Sequence, residues 1–371
     1  MTACGDLALG RVESVLKMSR KSGPIGAISV SIVDSFNPME IVIGVGAGLA
    51  IFFFGVYEMT EGMRAAAADR LRSILERFTK NRVSAVLTGT ASTAIIGSSS
   101  IVTIMTVGLV SAGLLAFANS LGVVMGANIG TTLTSQIIAF GLTDYFGVVL
   151  IVGAVMRFVV RTERSRAWGT AIMGLGFVFL GLEHIEHTMA PIRTWPPFIE
   201  AIEQMESPLF GILVGATITA VIQSSSATMG VVIILAGQGA ISLPAGVAIM
   251  MGAELGTCVD TLLSTIGQSR AAVRTGVFQL LFNVFNVLLL VGFAGQLAAI
   301  AQSMSPGTDA AAIAKQIAHA HVMFNCLGVL AALPFTPWVA KGMLRLIPDR
   351  PAAEVESESA SESGPQSSVA A

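Results

Sequence analysis

The amino-acid sequence predicts an all-α polytopic membrane protein made of two inverted-topology repeats, each with a re-entrant hairpin and a broken transmembrane helix. Three observations predict it. The first is composition: 53% of the 371 residues are hydrophobic and only 12% are charged, with a mean hydropathy of +0.77, too little charge to coat a soluble globule of this size. The second is a duplication: residues 87 to 141 reappear as residues 213 to 267 at a constant offset of 126, with sixteen of fifty-five positions identical. Upstream, the same offset pairs Leu49 with Leu175, Phe53 with Phe179, Gly55 with Gly181 and Met63 with Met189, so a longer unit has been copied. The third is parity. A hairpin returns to the side it entered, so three crossings separate the first helix from its copy, and an odd number turns the second unit over.

The elements follow in order. Residues 1–39 read as a loosely attached leader, basic at Arg11, Lys17, Arg20 and Lys21, whose segment from Ile25 to Phe36 is too short and polar for a signal peptide. Glu40 to Tyr57 is the first span, continuing into an arginine- and alanine-rich amphipathic segment, Glu58 to Arg82, expected at the interface. Val83 to Gly97 and Ile101 to Phe117 reach only about 22 to 26 Å at about 1.5 Å per residue, short of a core roughly 30 Å thick. They read as the arms of a re-entrant hairpin around Ser98, Ser99 and Ser100. Asn119 to Phe140, interrupted by Gly126 and Gly130, is the first broken span. Tyr145 to Val160 and Ala167 to Leu182 are further spans, the latter the copy of the first helix. The second hairpin has arms Gly211 to Ile222 and Ala227 to Gly237, and the second broken span is Leu243 to Thr265. Val273 to Leu297 and His319 to Ala340 complete the set. The chain thus divides into repeat 1 (40–166), repeat 2 (167–300), a final transmembrane helix (301–347) and a Ser-, Glu- and Ala-rich disordered cytoplasmic tail (348–371).

Loop charge orients the whole. One side collects Arg64, Arg70, Arg72, Arg77, Lys80, Arg82, Arg161, Arg164, Arg166, Arg270, Arg274, Lys341, Arg345 and Arg350. The other holds Arg193 and Lys315 beside Asp144, Glu200, Glu203, Glu206 and Asp309. The positive-inside rule makes the first side, and the C-terminus, cytoplasmic, in an inner (plasma) membrane; the basic leader is the exception. These charges belong to loops, so a nucleic-acid partner is not indicated. Cys4, Cys258 and Cys326 are too scattered for a disulfide framework or a zinc site.

Inversion brings one serine tip in from each face, so that the two meet near the midplane. Each tip precedes a half-helix whose free N–H groups and positive dipole end favour an anion. Unwound carbonyls in the glycine-interrupted helices, with nearby Thr and Asn oxygens, suit a hard cation such as sodium. Single serines in membrane helices are usually packing and interhelical hydrogen bonds, and Gly-x-x-x-Gly is usually close helix contact. Three serines recurring in both copies, and the polar Asn128 and Glu254 inside the glycine motifs, point beyond packing. Glu254 and Asp260 need compensation, because a carboxylate at the bilayer centre costs roughly 2.5 to 3.5 kcal/mol. Cation or proton coordination is the functional reading; a structural hydrogen bond or a helix-rim position is the other. Glu183, His184, Glu186 and His187 have metal-ligand chemistry but close a helix at the outer interface and read as a solvated end. Phe282-Asn283 and Phe324-Asn325 read as buried amides capping unwound backbone, with lining of the transport path as the alternative.

These residues resemble the type II sodium/phosphate cotransporters and their bacterial relatives over roughly residues 40 to 347. The likeness rests on QSSSAT (223–228), GANIGTT (126–132), LSTIG (263–267) followed by Arg270 and Arg274, LLFN (280–283), AHAHVMFN (318–325) and LPF (333–335). The resemblance implies a symporter whose serine hairpins bind phosphate and sodium. It places substrate at Ser98, Ser99, Ser100, Gln223, Ser224, Ser225 and Ser226, and cation ligands at Asn128, Thr131, Thr132 and Thr257, to which the charge argument adds Glu254 and Asp260. The chain departs from the family pattern in four places: Gly97 replaces a Gln, Glu254 an Asn, Cys258 a Thr, and Asp260 stands opposite Thr134.

The expected function is sodium-coupled symport of inorganic phosphate by alternating access, with sodium as the sole metal and no organic cofactor. The partners are phosphate, sodium and the lipid bilayer, with a homodimer allowed. Transport or export of another small anion, and a non-transporting sensor that keeps the fold, are the alternatives. No nucleophile–base pair or nucleotide loop supports an enzyme.

Overall fold

The computed structural model describes residues 38–140, 145–189, 200 and 207–349. The expectations for the leader and the tail therefore fall almost entirely outside the described residues. Among these residues every regular element is helical, and six helical stretches are long and apolar enough to cross a membrane: 39–67, 117–139, 163–189, 243–264, 270–304 and 310–346. The protein is a multi-pass membrane protein.

Helix α1 runs Pro38–Phe78 without a break. The first span and the amphipathic segment are thus one rod of 41 residues, about 60 Å long. No helix breaker marks their junction, since the Ala-, Arg- and Leu-rich sequence after Tyr57 has high helix propensity. Helix α2 (Arg82–Ile96) and α3 (Ser99–Ser111) are the two short arms around the first serine tip, followed by α4 (Phe117–Ala139) and α5 (Phe146–Phe158). Helix α5 has 13 residues, about 20 Å, which is short for a span. The copied unit supplies α6 (Glu163–Met189), α7 (Pro208–Ile222), α8 (Ser225–Gly237), α9 (Leu243–Gly256) and α10 (Cys258–Ser264). The bounds of α2, α3 and α4 shifted by 126 give those of α7, α8 and the α9–α10 pair to within a residue. Last come α11 (Arg270–Leu290), a 3-10 turn (Val291–Phe293), α12 (Ala294–Met304), α13 (Ala310–Ala332), a second 3-10 turn (Leu333–Phe335) and α14 (Thr336–Leu346).

Glycine decides how these helices meet. A Cβ on Gly55 would strike the backbone of Val178 and Gly174, and one on Gly181 would strike that of Phe52 and Gly48. Gly174 and Gly181 are the copies of Gly48 and Gly55, so the pairing between α1 and α6 is self-complementary. Contacts from Gly44 against Thr188 to Gly62 against Ala171 run in opposite chain directions, so the two helices are antiparallel. Backbone-to-backbone approach of this kind is the membrane substitute for a hydrophobic driving force. The same economy operates within each copy. Gly126 and Gly130 press on the carbonyls of Val86 and Thr90 in α2, while Gly252 and Gly256 press on those of Ile212 and Ala216 in α7.

That contact corrects the expectation of two broken helices. Helix α4 is continuous through Gly126 and Gly130, because both glycines are used to seat α2 rather than to unwind the chain. Only the second copy is interrupted, at Thr257, between α9 and α10.

Two arginines of the set that the charge pattern grouped at one end reach the last part of the described chain. Arg82 Nη1 donates to the carbonyl of Pro334 at 3.3 Å, and Arg274 pairs with Asp349. Arg274 is no loop residue, however. It is buried at 2% exposure, with its guanidinium over the Phe117 ring at 5.4 Å. Asp349 supplies its counter-charge, and the ring shields it.

Candidate functional site

Each serine tip is a left-handed residue followed by a helix N-terminus. Gly97 closes α2 with φ 72°, and Gln223 closes α7 with φ 57°. Gln223 is the one non-glycine residue with positive φ among the described residues, a conformation costing about 1 kcal/mol or more outside glycine. The glycine at 97 that departs from the family pattern is thus the residue its backbone favours, and a Cβ there would also meet the Met63 methyl. Gln223 holds the same turn against its own preference and keeps a carboxamide at the tip.

The first serine of each triplet is a cap. Ser98 Oγ accepts from the Ile101 N–H at 3.4 Å and Ser224 Oγ from the Ala227 N–H at 3.2 Å. The N–H groups of Ser99 and Ser100, and of Ser225 and Ser226, open α3 and α8 and have no carbonyl of their own helix to bind. The two tips touch, for Ser226 Oγ donates to the Gly97 carbonyl at 3.5 Å. They share a cavity of about 520 Å³ lined by Gly97, Ser98, Ser100, Gln223 and Ser224, with Phe53, Tyr57 and Thr60 of α1 across from them. Ser99, Ser225 and Ser226 are buried and lie behind this surface. The structure therefore brings all seven substrate candidates to one place, although only Ser98, Ser100, Gln223 and Ser224 face the opening.

The cation candidates do not gather into one shell. Thr131, Thr132 and Thr257 are buried, and their hydroxyls donate to their own helices, at the carbonyls of Ala127, Ile129 and Ala253. Asn128 Nδ2 donates to Asn283 Oδ1 at 2.9 Å. Asp260 lies apart beside Ser100 of the first tip, and its Oδ1 accepts from the Thr261 backbone and hydroxyl. Glu254 is the centre of a buried network: its Oε1 meets His321 Nε2 at 2.7 Å and accepts from Asn325 Nδ2 at 3.3 Å. His321 Nδ1 in turn meets Ser135 Oγ at 2.9 Å. The carboxylate is thus held by two side chains of α13, with Ser135 of α4 bracing the histidine, and Glu254 is 3% exposed.

Sequence reasoning missed His321 and Ser135. The signal was present in AHAHVMFN, where residues 321 and 325 stand one helical turn apart on a shared face. Asn283 fits the capping reading: its Nδ2 donates to the Glu254 carbonyl at 3.0 Å and to Cys258 Sγ at 3.2 Å, bracketing the break between α9 and α10. Glu183 and His187 stand 3.9 Å apart with the imidazole 79% exposed, and no group of three metal-ligating side chains occurs among the described residues.

Known proteins share this sequence pattern. The chain is 28% identical over 311 residues to "Uncharacterized protein YqeW" of Bacillus subtilis, covering 84% of this chain and 99% of that one. It is 26% identical over 311 residues to "Putative inorganic phosphate export protein YjbB" of Salmonella typhimurium, covering 82% of this chain but 55% of that protein, so it spans little more than half of that relative's length. A segment of 93 residues, 24% of the chain, is 28% identical to 14% of the human "Sodium-dependent phosphate transport protein 2B". No solved structure matches. The sequence profile described as "Na+/Pi-cotransporter" matches residues 51–187 and again 198–331, each stretch holding one serine tip and one glycine-seated helix. The chain belongs to the Na+/Pi-cotransporter family.

Proposed function

We propose that this chain is a sodium-coupled symporter of inorganic phosphate in the inner membrane, working by alternating access with the anion held between the two serine tips. The observation that carries the reading is the shared cavity: two helix N-termini open beside one space lined by Ser98, Ser100, Gln223 and Ser224. Four N–H groups without helical partners, together with hydroxyl and amide donors, suit a tetrahedral oxyanion rich in acceptors. A helix N-terminus contributes typically about 0.3 to 1 kcal/mol toward an anion at an exposed site, and up to about 2 kcal/mol when partly buried. The printed names of the relatives, one concerned with phosphate export and one with sodium-dependent phosphate transport, agree with phosphate as the anion.

In this reading residues 40–166 and 167–300 are two units inverted in the bilayer, with 301–347 as the closing helix and the C-terminus cytoplasmic. The self-complementary antiparallel contact of α1 with α6 supports the inversion. The 15- and 13-residue arms around each tip support re-entrance from opposite faces. Rocking of one unit against the other would expose the tips to each side in turn. The test is equilibrium binding of radiolabelled phosphate to the purified chain in nanodiscs, in sodium chloride and in choline chloride. Saturable binding that strengthens with sodium and competes with arsenate supports the reading; binding indifferent to sodium refutes the coupling, and no phosphate binding refutes the substrate.

A further inference from the structure

A second cavity, of about 180 Å³, lies where α1 and α6 meet α2 and α4, beside the one between the serine tips. Of its lining side chains, Thr134 has the only hydroxyl and Trp168 the only N–H; the others are apolar. A water held inside a protein needs about two to four polar partners, whereas an apolar cavity of about 150 Å³ stays dry and takes up benzene or xenon. This lining therefore suits an apolar occupant. Left empty, the cavity would deprive its walls of van der Waals partners on one side.

The cavity is long. Val56, Met59 and Met63 line it at successive turns of α1, and Trp168, Ala171, Leu175 and Val178 at successive turns of α6. The stripe from 168 to 178 extends about 15 Å at about 1.5 Å per residue. A volume of this size drawn out over that length fits a hydrocarbon chain better than a ring. The cavity is also open on one side, and its lining includes Leu133, which is 44% exposed. Leu133 belongs to the apolar crossing 117–139, so the opening is continuous with the surface that meets the hydrocarbon of the bilayer.

The cavity ends at the first serine tip. Gly97 and Val56 line both this cavity and the one between the tips, and the Met63 methyl occupies the place that a Cβ on Gly97 would need. Met59 and Met63 are unbranched and flexible, so this wall adapts to the shape of an occupant.

We propose that this cavity binds one acyl chain of a bilayer phospholipid, threaded between α1, α2, α4 and α6 to the back of Gly97. The chain braces the first tip from behind. Its binding is independent of the symport reading, on which only the consequence for phosphate rests.

The test is photolabelling of the purified full chain in nanodiscs with a phospholipid that carries a diazirine near the end of one acyl chain, the adducts being mapped by mass spectrometry. Wild type is labelled at Met59, Ala171 or Val178, which are buried and out of reach of lipid lying on the protein surface. Ala94→Leu and Ile172→Trp fill the cavity. In these variants the buried adducts are lost, while those at the exposed Ile151 and Leu288 persist; circular dichroism checks that each variant is folded. Adducts confined to exposed residues in wild type overturn the proposal without recourse to any variant. Buried adducts that persist unchanged in a folded, filled variant overturn it as well. Phosphate binding on the same samples keeps the two ideas apart: buried adducts without phosphate binding refute the symport reading alone, and phosphate binding with surface adducts only refutes the lipid site alone.

Discussion

Ser226 at the tip of the second helix pair donates a hydrogen bond to the carbonyl of Gly97 at the tip of the first, across 3.5 Å. Residues 129 positions apart are thereby joined at the wall of one cavity, and the helix N-termini that follow them open side by side.

Gln223 keeps a left-handed backbone that its copy assigns to glycine. Gln223→Gly relieves about 1 kcal/mol of local strain, offset by glycine's greater freedom in the unfolded chain of similar size. Thermal stability in detergent is therefore expected to stay the same, while phosphate affinity falls by about tenfold through the lost amide. A parallel loss of stability and affinity would show that the side chain only supports the fold.

Glu254→Gln preserves a group able to bond His321 and removes the charge. The apparent sodium affinity for stimulation of phosphate transport is expected to weaken by about tenfold, with phosphate recognition less affected. Sodium dependence that survives intact would exclude Glu254 from cation binding.

The glycines of α1 are unequal. A Cβ on Gly46 meets nothing within 4 Å, whereas one on Gly55 meets the α6 backbone. Gly46→Ala is expected to change unfolding free energy by no more than about 0.5 kcal/mol, and Gly55→Ala to lower it by about 3 kcal/mol. Denaturant titration followed by circular dichroism distinguishes them.

The two copies also differ in how their arms are joined. Thr219 Oγ1 donates to Thr228 Oγ1 at 2.9 Å across the second pair, but Thr93, its copy, has no partner for its buried hydroxyl, since Val102 stands where Thr228 would. Thr219→Val is expected to cost about 1 kcal/mol and Thr93→Val to be neutral or stabilising, read from the same titration.

Much of this fold was legible from local sequence. The short apolar runs and serine triplets located both tips, and the offset of 126 read from the sequence also separates the helix bounds of the two copies. The continuity of α4 was not legible, because glycines four residues apart look the same whether they unwind a helix or seat it in a groove. What decides is the neighbour: the carbonyls of Val86 and Thr90 lie across the fold from them in α2. The site divides in the same way. Serine tips are contiguous in sequence and were found, but the partners of Glu254 lie 67 and 71 residues downstream, where only the tertiary fold brings them together. The burial of Arg274 was hidden likewise, since its aromatic shield, Phe117, belongs to another helix.

Sodium-coupled phosphate transport through the serine tips is measured by radiolabelled phosphate flux into proteoliposomes containing the wild-type chain or Ser100→Ala, with and without an inward sodium gradient. Sodium-driven accumulation by wild type, falling by about tenfold in the variant, is the predicted result. Folded, inserted protein that moves no phosphate under any gradient, or moves it unchanged after the tip is altered, would rule out phosphate symport through the serine tips.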